Sequence, residues 1–98
     1  MKNTLDEFDL NTGVLIGEGT VFKGELSTEG TVIIKENASV IGNVNAKDMV
    51  IAGTLTDSEA YIDGILCLLP KSVVYCNLKA REINSEPGAV FKGFFELL

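Results

Sequence analysis

Side chains able to do chemistry are few in this chain, and their spacing narrows the chemistry further. Cys67 and Cys76 lie nine positions apart, and none of the 98 residues is a histidine. Two thiolates with no further soft ligand make a poor zinc site. Without an imidazole, neither a serine triad nor a cysteine–histidine pair can be assembled within the chain. Carboxylates come in pairs, Asp6 with Asp9 and Glu82 with Glu86, which read as solvated side chains rather than as an acid–base couple. Gly17-Glu18-Gly19 offers two glycines of a phosphate cradle but lacks the third, the lysine and the helix that should follow. The expectation is therefore no catalytic residue, no metal site and no cofactor, and a protein that is not an enzyme.

Composition sets the frame for the elements. The chain has the length of one domain, and 46% apolar content with 22% charge suits a folded polypeptide. Ten glycines against two prolines suit a turn-rich β architecture, in which corners need glycine and strands need backbone donors. A net charge of −6 disfavours nucleic acid, whose phosphates require clustered lysine and arginine, and electrostatic docking to anionic lipid. No signal peptide and no apolar run of about 18 residues is visible. A cytoplasmic location with both cysteines reduced is expected.

The strongest pattern is a small unit met six times. A large apolar residue is followed two positions on by glycine, once by cysteine, and two positions later by another apolar residue. The copies are Phe22-Lys23-Gly24-Glu25-Leu26, Val40-Ile41-Gly42-Asn43-Val44, Ile51-Ala52-Gly53-Thr54-Leu55, Ile62-Asp63-Gly64-Ile65-Leu66, Val74-Tyr75-Cys76-Asn77-Leu78 and Phe91-Lys92-Gly93-Phe94-Phe95. Their first residues are 18, 11, 11, 12 and 17 positions apart. These gaps approximate 3, 2, 2, 2 and 3 steps of just under six residues. Three steps make a coil of about 17 residues, the signature of a parallel β-solenoid with three faces. Between Val14 and Leu98 there is room for about five coils. Short β-type runs such as Thr31-Val32-Ile33-Ile34 and Ser72-Val73-Val74-Tyr75 follow one another closely, and no stretch sustains a helical period.

Side-chain alternation places the large residues flanking each glycine inward on two adjoining faces. Phe22, Val40, Val74 and Phe91 should then form one internal column, with a weak rung near Asp57. Asp63-Gly64 reads as a corner rather than a hairpin turn. Polar segments such as Asn45-Ala46-Lys47-Asp48 and Lys79-Ala80-Arg81-Glu82 read as solvated outer faces, with a partner patch at Lys79 and Arg81 as the sharper alternative. Ile65-Leu66-Cys67-Leu68-Leu69-Pro70 is too apolar for all five residues before the proline to face inward. Either part of it is an external patch, or a bulge absorbs the misfit.

Laid out in this order, the chain resembles the bactofilins, bacterial polymer-forming cytoskeletal proteins. The resemblance rests on the segment from Ile16 to Leu26, on Asn45-Ala46-Lys47-Asp48-Met49-Val50-Ile51-Ala52-Gly53, and on Glu86-Pro87-Gly88-Ala89-Val90-Phe91-Lys92-Gly93. It implies a right-handed β-helix over residues 14–98 that assembles end to end into filaments without nucleotide. It also implies a cytoplasmic scaffold, often at the inner membrane, that positions cell-wall enzymes and influences cell shape. Family members typically carry longer tails with a membrane-binding segment. Here residues 1–13 read as a short, acidic, flexible tail. Its Leu5, Phe8 and Leu10 could meet a bilayer interface or a partner, weakly, since no basic residues support them.

A solenoid ends in two coils whose backbone groups and apolar columns lack a next layer, and such edges are either capped or pair with another molecule. At the C-terminal end stand Phe91, Phe94, Phe95, Leu97 and Leu98; at the other, Val14, Leu15 and Ile16. These eight residues are the predicted polymer interface, making the chain its own main partner. Inner-membrane proteins and cell-wall enzymes are the further partners that the resemblance implies. The competing reading is a β-helix interaction module that stops at a dimer.

Overall fold

The computed structural model describes residues 12–98. Eleven strands, all paired in parallel, and no helix make up the described chain. They are β1 (Thr12–Ile16), β2 (Val21–Lys23), β3 (Leu26–Ser27), β4 (Thr31–Ile34), β5 (Ser39–Ile41), β6 (Val44–Ala46), β7 (Asp48–Ile51), β8 (Thr54–Leu68), β9 (Val73–Ser85), β10 (Val90–Lys92) and β11 (Phe95–Leu97). Register sorts them into three faces of five rungs. The first face stacks β1, β4, β7 and the ends of β8 and β9. The second stacks β2, β5, the starts of β8 and β9, and β10. The third stacks β3, β6, the middles of β8 and β9, and β11. The chain is thus a three-sided parallel β-solenoid of about five coils with the expected spacing near 17 residues.

Strict alternation builds the core. On the first face Val14, Val32, Met49, Leu66 and Ile83 share a column, with Ile16, Ile34, Ile51 and Leu68 beside it. On the third face the column is Leu26, Val44, Ala60, Leu78 and Phe95. The middle rungs of these columns are buried, and each valine, leucine, isoleucine or methionine among them contributes roughly 1.5–3 kcal/mol.

One expectation about the second-face column is corrected. Phe22, Val40, Val74 and Phe91 do stack, but the fifth member, expected as a weak rung near Asp57, is Leu55, which is fully buried and paired with both Val40 and Val74. The reason lies at the preceding corner. In four coils a four-residue turn joins the first face to the second, closed by Thr20 N–H on Gly17 O, Ala38 on Lys35, Ser72 on Leu69 and Ala89 on Glu86. The third residue of each turn has positive φ: Gly19, Asn37, Lys71 and Gly88. In the remaining coil Ala52-Gly53 alone makes this corner. The two missing residues bring Leu55 into the column early. Asp57, at φ 51, then sits in a bulge where Ser58 pairs with Cys76.

The glycines of the repeated unit occupy all three corners. Gly24, Gly42 and Gly93 turn the second face into the third, with φ of 134, 136 and 139, and Ser58 and Cys76 complete that column. Gly53 and Gly64 turn the other two corners. At Gly42 more than φ is at stake, because a Cβ there would run into the carbonyl of Gly24 one coil below. Asp63-Gly64 is a corner, as expected; β8 and β9 pass this region unbroken, with a register shift between Ile62 and Ile65. Within the run from Ile65 to Leu69, Leu66 and Leu68 point inward, whereas Ile65 is exposed and Cys67 and Leu69 are half-buried outside.

Candidate functional site: the two end coils

What the fold leaves unfinished are its ends. Within the described chain β1, β2 and β3 have a neighbouring strand on one side only, as do the final segment of β9, β10 and β11. Each end therefore shows three short strand edges with unpaired backbone donors and acceptors. Among the described residues no helix lies across either of them.

The predicted interface residues divide by direction. Val14 and Ile16 belong to inward columns of the first face; Ile16 is buried and Val14 half-buried. Leu15 alternates outward and is 47% exposed. At the far end Phe91 extends the Val74 column, Phe95 the Leu78 column and Leu97 the Ala80 column. No coil among the described residues lies above them; Phe91 and Phe95 are only half-buried and Leu97 is 63% exposed. Phe94 points outward and is 79% exposed, and Leu98 is 43% exposed. The two ends thus present unfinished inward columns: Val14, Phe22 and Leu26 at one, Ile83, Phe91, Phe95 and Leu97 at the other.

Phe22, Leu26 and Ile83 are not among the expected interface residues, because they lie outside the apolar clusters at the two ends of the repeat region. The signal was present in the repeat itself, since Phe22 and Leu26 flank the first corner glycine and so stand in the outermost rung. The tail residues Leu5, Phe8 and Leu10 lie outside the described residues. Thr12 and Gly13, expected in the tail, belong to β1.

Electrostatics at the ends are mild. Glu96 and Lys92 flank the C-terminal columns, and Lys92 Nζ lies 5.8 Å from the centre of the Tyr75 ring one coil below. Among the described residues no group of three or more acidic or thiol side chains is placed to hold a metal. Burial pushes the Cys76 thiol up to about 11 from its ordinary 9.0, so it stays protonated at neutral pH. Both cysteines are free. No helix among the described residues is long and apolar enough to cross a membrane.

A family model described as "Bactofilin: Polymer-forming cytoskeletal" matches residues 7–96. Among curated proteins and among solved structures, nothing matches the chain. A match that covers nearly the whole chain and runs through its three-sided coils makes this chain a member of the bactofilin family of polymer-forming cytoskeletal proteins.

Proposed function

We propose that this protein is a non-enzymatic cytoskeletal scaffold whose subunits stack end to end, without nucleotide, into filaments. The observation that carries this reading is the pair of end coils, with open strand edges and inward columns that stop in half-exposed phenylalanine and leucine. A second subunit supplies the missing rung: parallel or antiparallel pairing of the edges satisfies the backbone, and Phe91, Phe95 and Leu97 gain the layer they lack. Nothing in such an addition needs a phosphate to be cleaved. Recruitment of cell-wall enzymes or inner-membrane proteins, a location at the cytoplasmic face of the membrane, and a membrane contact through Leu5, Phe8 and Leu10 belong to the same proposal. They rest on family membership alone.

The test is negative-stain imaging of purified protein, with sedimentation alongside. Wild-type protein should form filaments at micromolar concentration whether or not ATP or GTP is present. Phe91→Arg and Phe95→Arg should each give a soluble, β-rich protomer that forms no filaments, because a guanidinium buried in the contact would stand unpaired. Normal filaments from both variants would remove this end from the interface. A wild-type protein that stops at a dimer would favour the interaction-module reading instead.

A further inference from the structure

The outside of the third face carries a trough of about 840 Å³ that crosses all five rungs. Its floor is strand backbone over Leu26, Val44, Ala60, Leu78 and Phe95, and its walls are the two outward columns on either side. Rung by rung, the walls alternate in chemistry. The third rung sets Glu59 across from Tyr61, and the fifth sets Glu96 across from Phe94. Each of these two rungs is therefore a carboxylate facing an exposed aromatic ring. The first rung repeats the acid with Glu25 opposite Ser27. Even rungs carry amides instead: Asn43 with Asn45, and Asn77 with Lys79. Asn43 Oδ1 accepts a hydrogen bond from the Glu59 backbone N–H at 3.0 Å, which leaves its NH₂ group as a donor.

From this alternation we infer that the trough binds an extended segment of another protein carrying lysine or arginine at every third position. An aromatic ring beside a carboxylate is a two-part seat for one basic side chain, the ring taking the stem or the cationic face and the acid taking the charge. Like rungs two apart are separated by about 9.6 Å. An extended segment in the polyproline II form turns once every three residues and advances about 3.1 Å per residue, so residues i and i+3 fall on one side about 9.3 Å apart and enter successive seats. The amides of the even rungs meet the backbone of the intervening residues, where an extended peptide shows donors and acceptors with no partner. The strands beneath are already paired on both sides in the middle rungs, so recognition falls to the side chains. Three carboxylates against Lys79 leave the trough acidic within a chain of net charge −6. The same charge argues against the chain's own N-terminal tail as occupant, since it carries Asp6, Glu7 and Asp9 against Lys2.

The inference rests on the scaffold reading only in that the peptide would belong to a recruited protein; binding itself is a property of one protomer. The probe is a fluorescent glycine–serine nonapeptide with lysines at its second, fifth and eighth positions. It is compared with a peptide of the same composition in which the three lysines are adjacent. Anisotropy is read at about 50 mM salt, where screening is weak. The spaced peptide should bind at least about fivefold tighter than the clustered one, and Glu59→Lys should weaken it about tenfold. Glu18→Lys, an equal change of net charge at a corner away from the trough, should leave it unchanged. Equal affinity for the two peptides, or equal loss in Glu59→Lys and Glu18→Lys, would reduce the effect to bulk charge and overturn the site. The same titration on a Phe91→Arg protomer that keeps its β spectrum should reproduce wild-type affinity. Failure to form filaments would then leave the trough standing, and failure to bind there would sink the trough while filaments stand.

Discussion

Gly42 shows how closely one atom can be constrained in a stacked fold. Its φ of 136 is a conformation that L side chains rarely adopt, and the space a Cβ would fill belongs to the Gly24 carbonyl. Gly42→Ala should therefore cost about 2–4 kcal/mol in urea unfolding, strain and collision acting together. Gly19→Ala is the control: its φ is also positive, at 79, but a Cβ there meets nothing, so about 1 kcal/mol is expected. Cys76 holds the same corner with a buried side chain. Its thiol is protonated in the fold, whereas an unfolded one ionises near its ordinary 9.0. The stabilisation this gives is complete below pH 9 and is lost as pH rises toward about 11, by about 2 kcal/mol. Urea midpoints for wild type should fall more steeply over that window than those of Cys76→Ala. Ser72 presents the opposite case, a hydroxyl with no exposure and no hydrogen-bond partner. Ser72→Ala removes a polar group already separated from water, and should be neutral or stabilising by about 1 kcal/mol in the same measurement.

Among the elements, β8 and β9 hold the stack together. Each runs unbroken through the second, third and first faces, and they pair along almost their whole length. β8 can do this because the short Ala52-Gly53 corner and the bulge at Asp57 shift its register until Leu55, Ala60 and Leu66 each meet an inward column. Leu55 is fully buried at the centre of the second-face column, with Val40 and Val74 on either side. Leu55→Ala should cost about 2–5 kcal/mol by thermal or urea unfolding, since rigid strands above and below cannot close the gap. Asp57→Ala should cost far less, the side chain being exposed. A cost at Asp57 equal to that at Leu55 would show that the column register is wrong. On the third face Asp63 lies between Lys47 at 3.9 Å and Arg81 at 3.2 Å, all three about half exposed. Such pairs contribute about 0–1 kcal/mol, so Arg81 serves the outer ladder with little leverage on the fold.

At the scale of the molecule, each coil leans only on its neighbours. In such an array stability is a sum of coil and interface terms, and the terminal coils are the weakest because each has one neighbour. Adding a subunit converts two terminal coils into internal ones, so assembly and stability should be linked. Thermal midpoints of wild-type protein should rise with protein concentration, while those of a soluble Phe91→Arg protomer should not. An unfolding midpoint independent of concentration in both would separate filament formation from the end coils.

Much of this architecture was legible in the residues because a solenoid writes its three-dimensional period directly into its spacing. Glycines at 24, 42 and 93, with apolar residues on both flanks, are enough to fix three faces, a coil near 17 residues and the inward columns, since each contact repeats at the same separation. Family and polymer character were legible for the same reason. What only the stacked structure decided is where coils depart from the average. Leu55 took the rung assigned near Asp57 because a corner two residues short changes the count, and the gain from burying leucine outweighs the regularity of the spacing. Phe22, Leu26 and Ile83 joined the ends, and the trough on the third face emerged, because both depend on residues distant in sequence being set side by side. Periodicity along one chain can specify a column; which side chains close it, and which face each other across it, is settled when the coils are in contact.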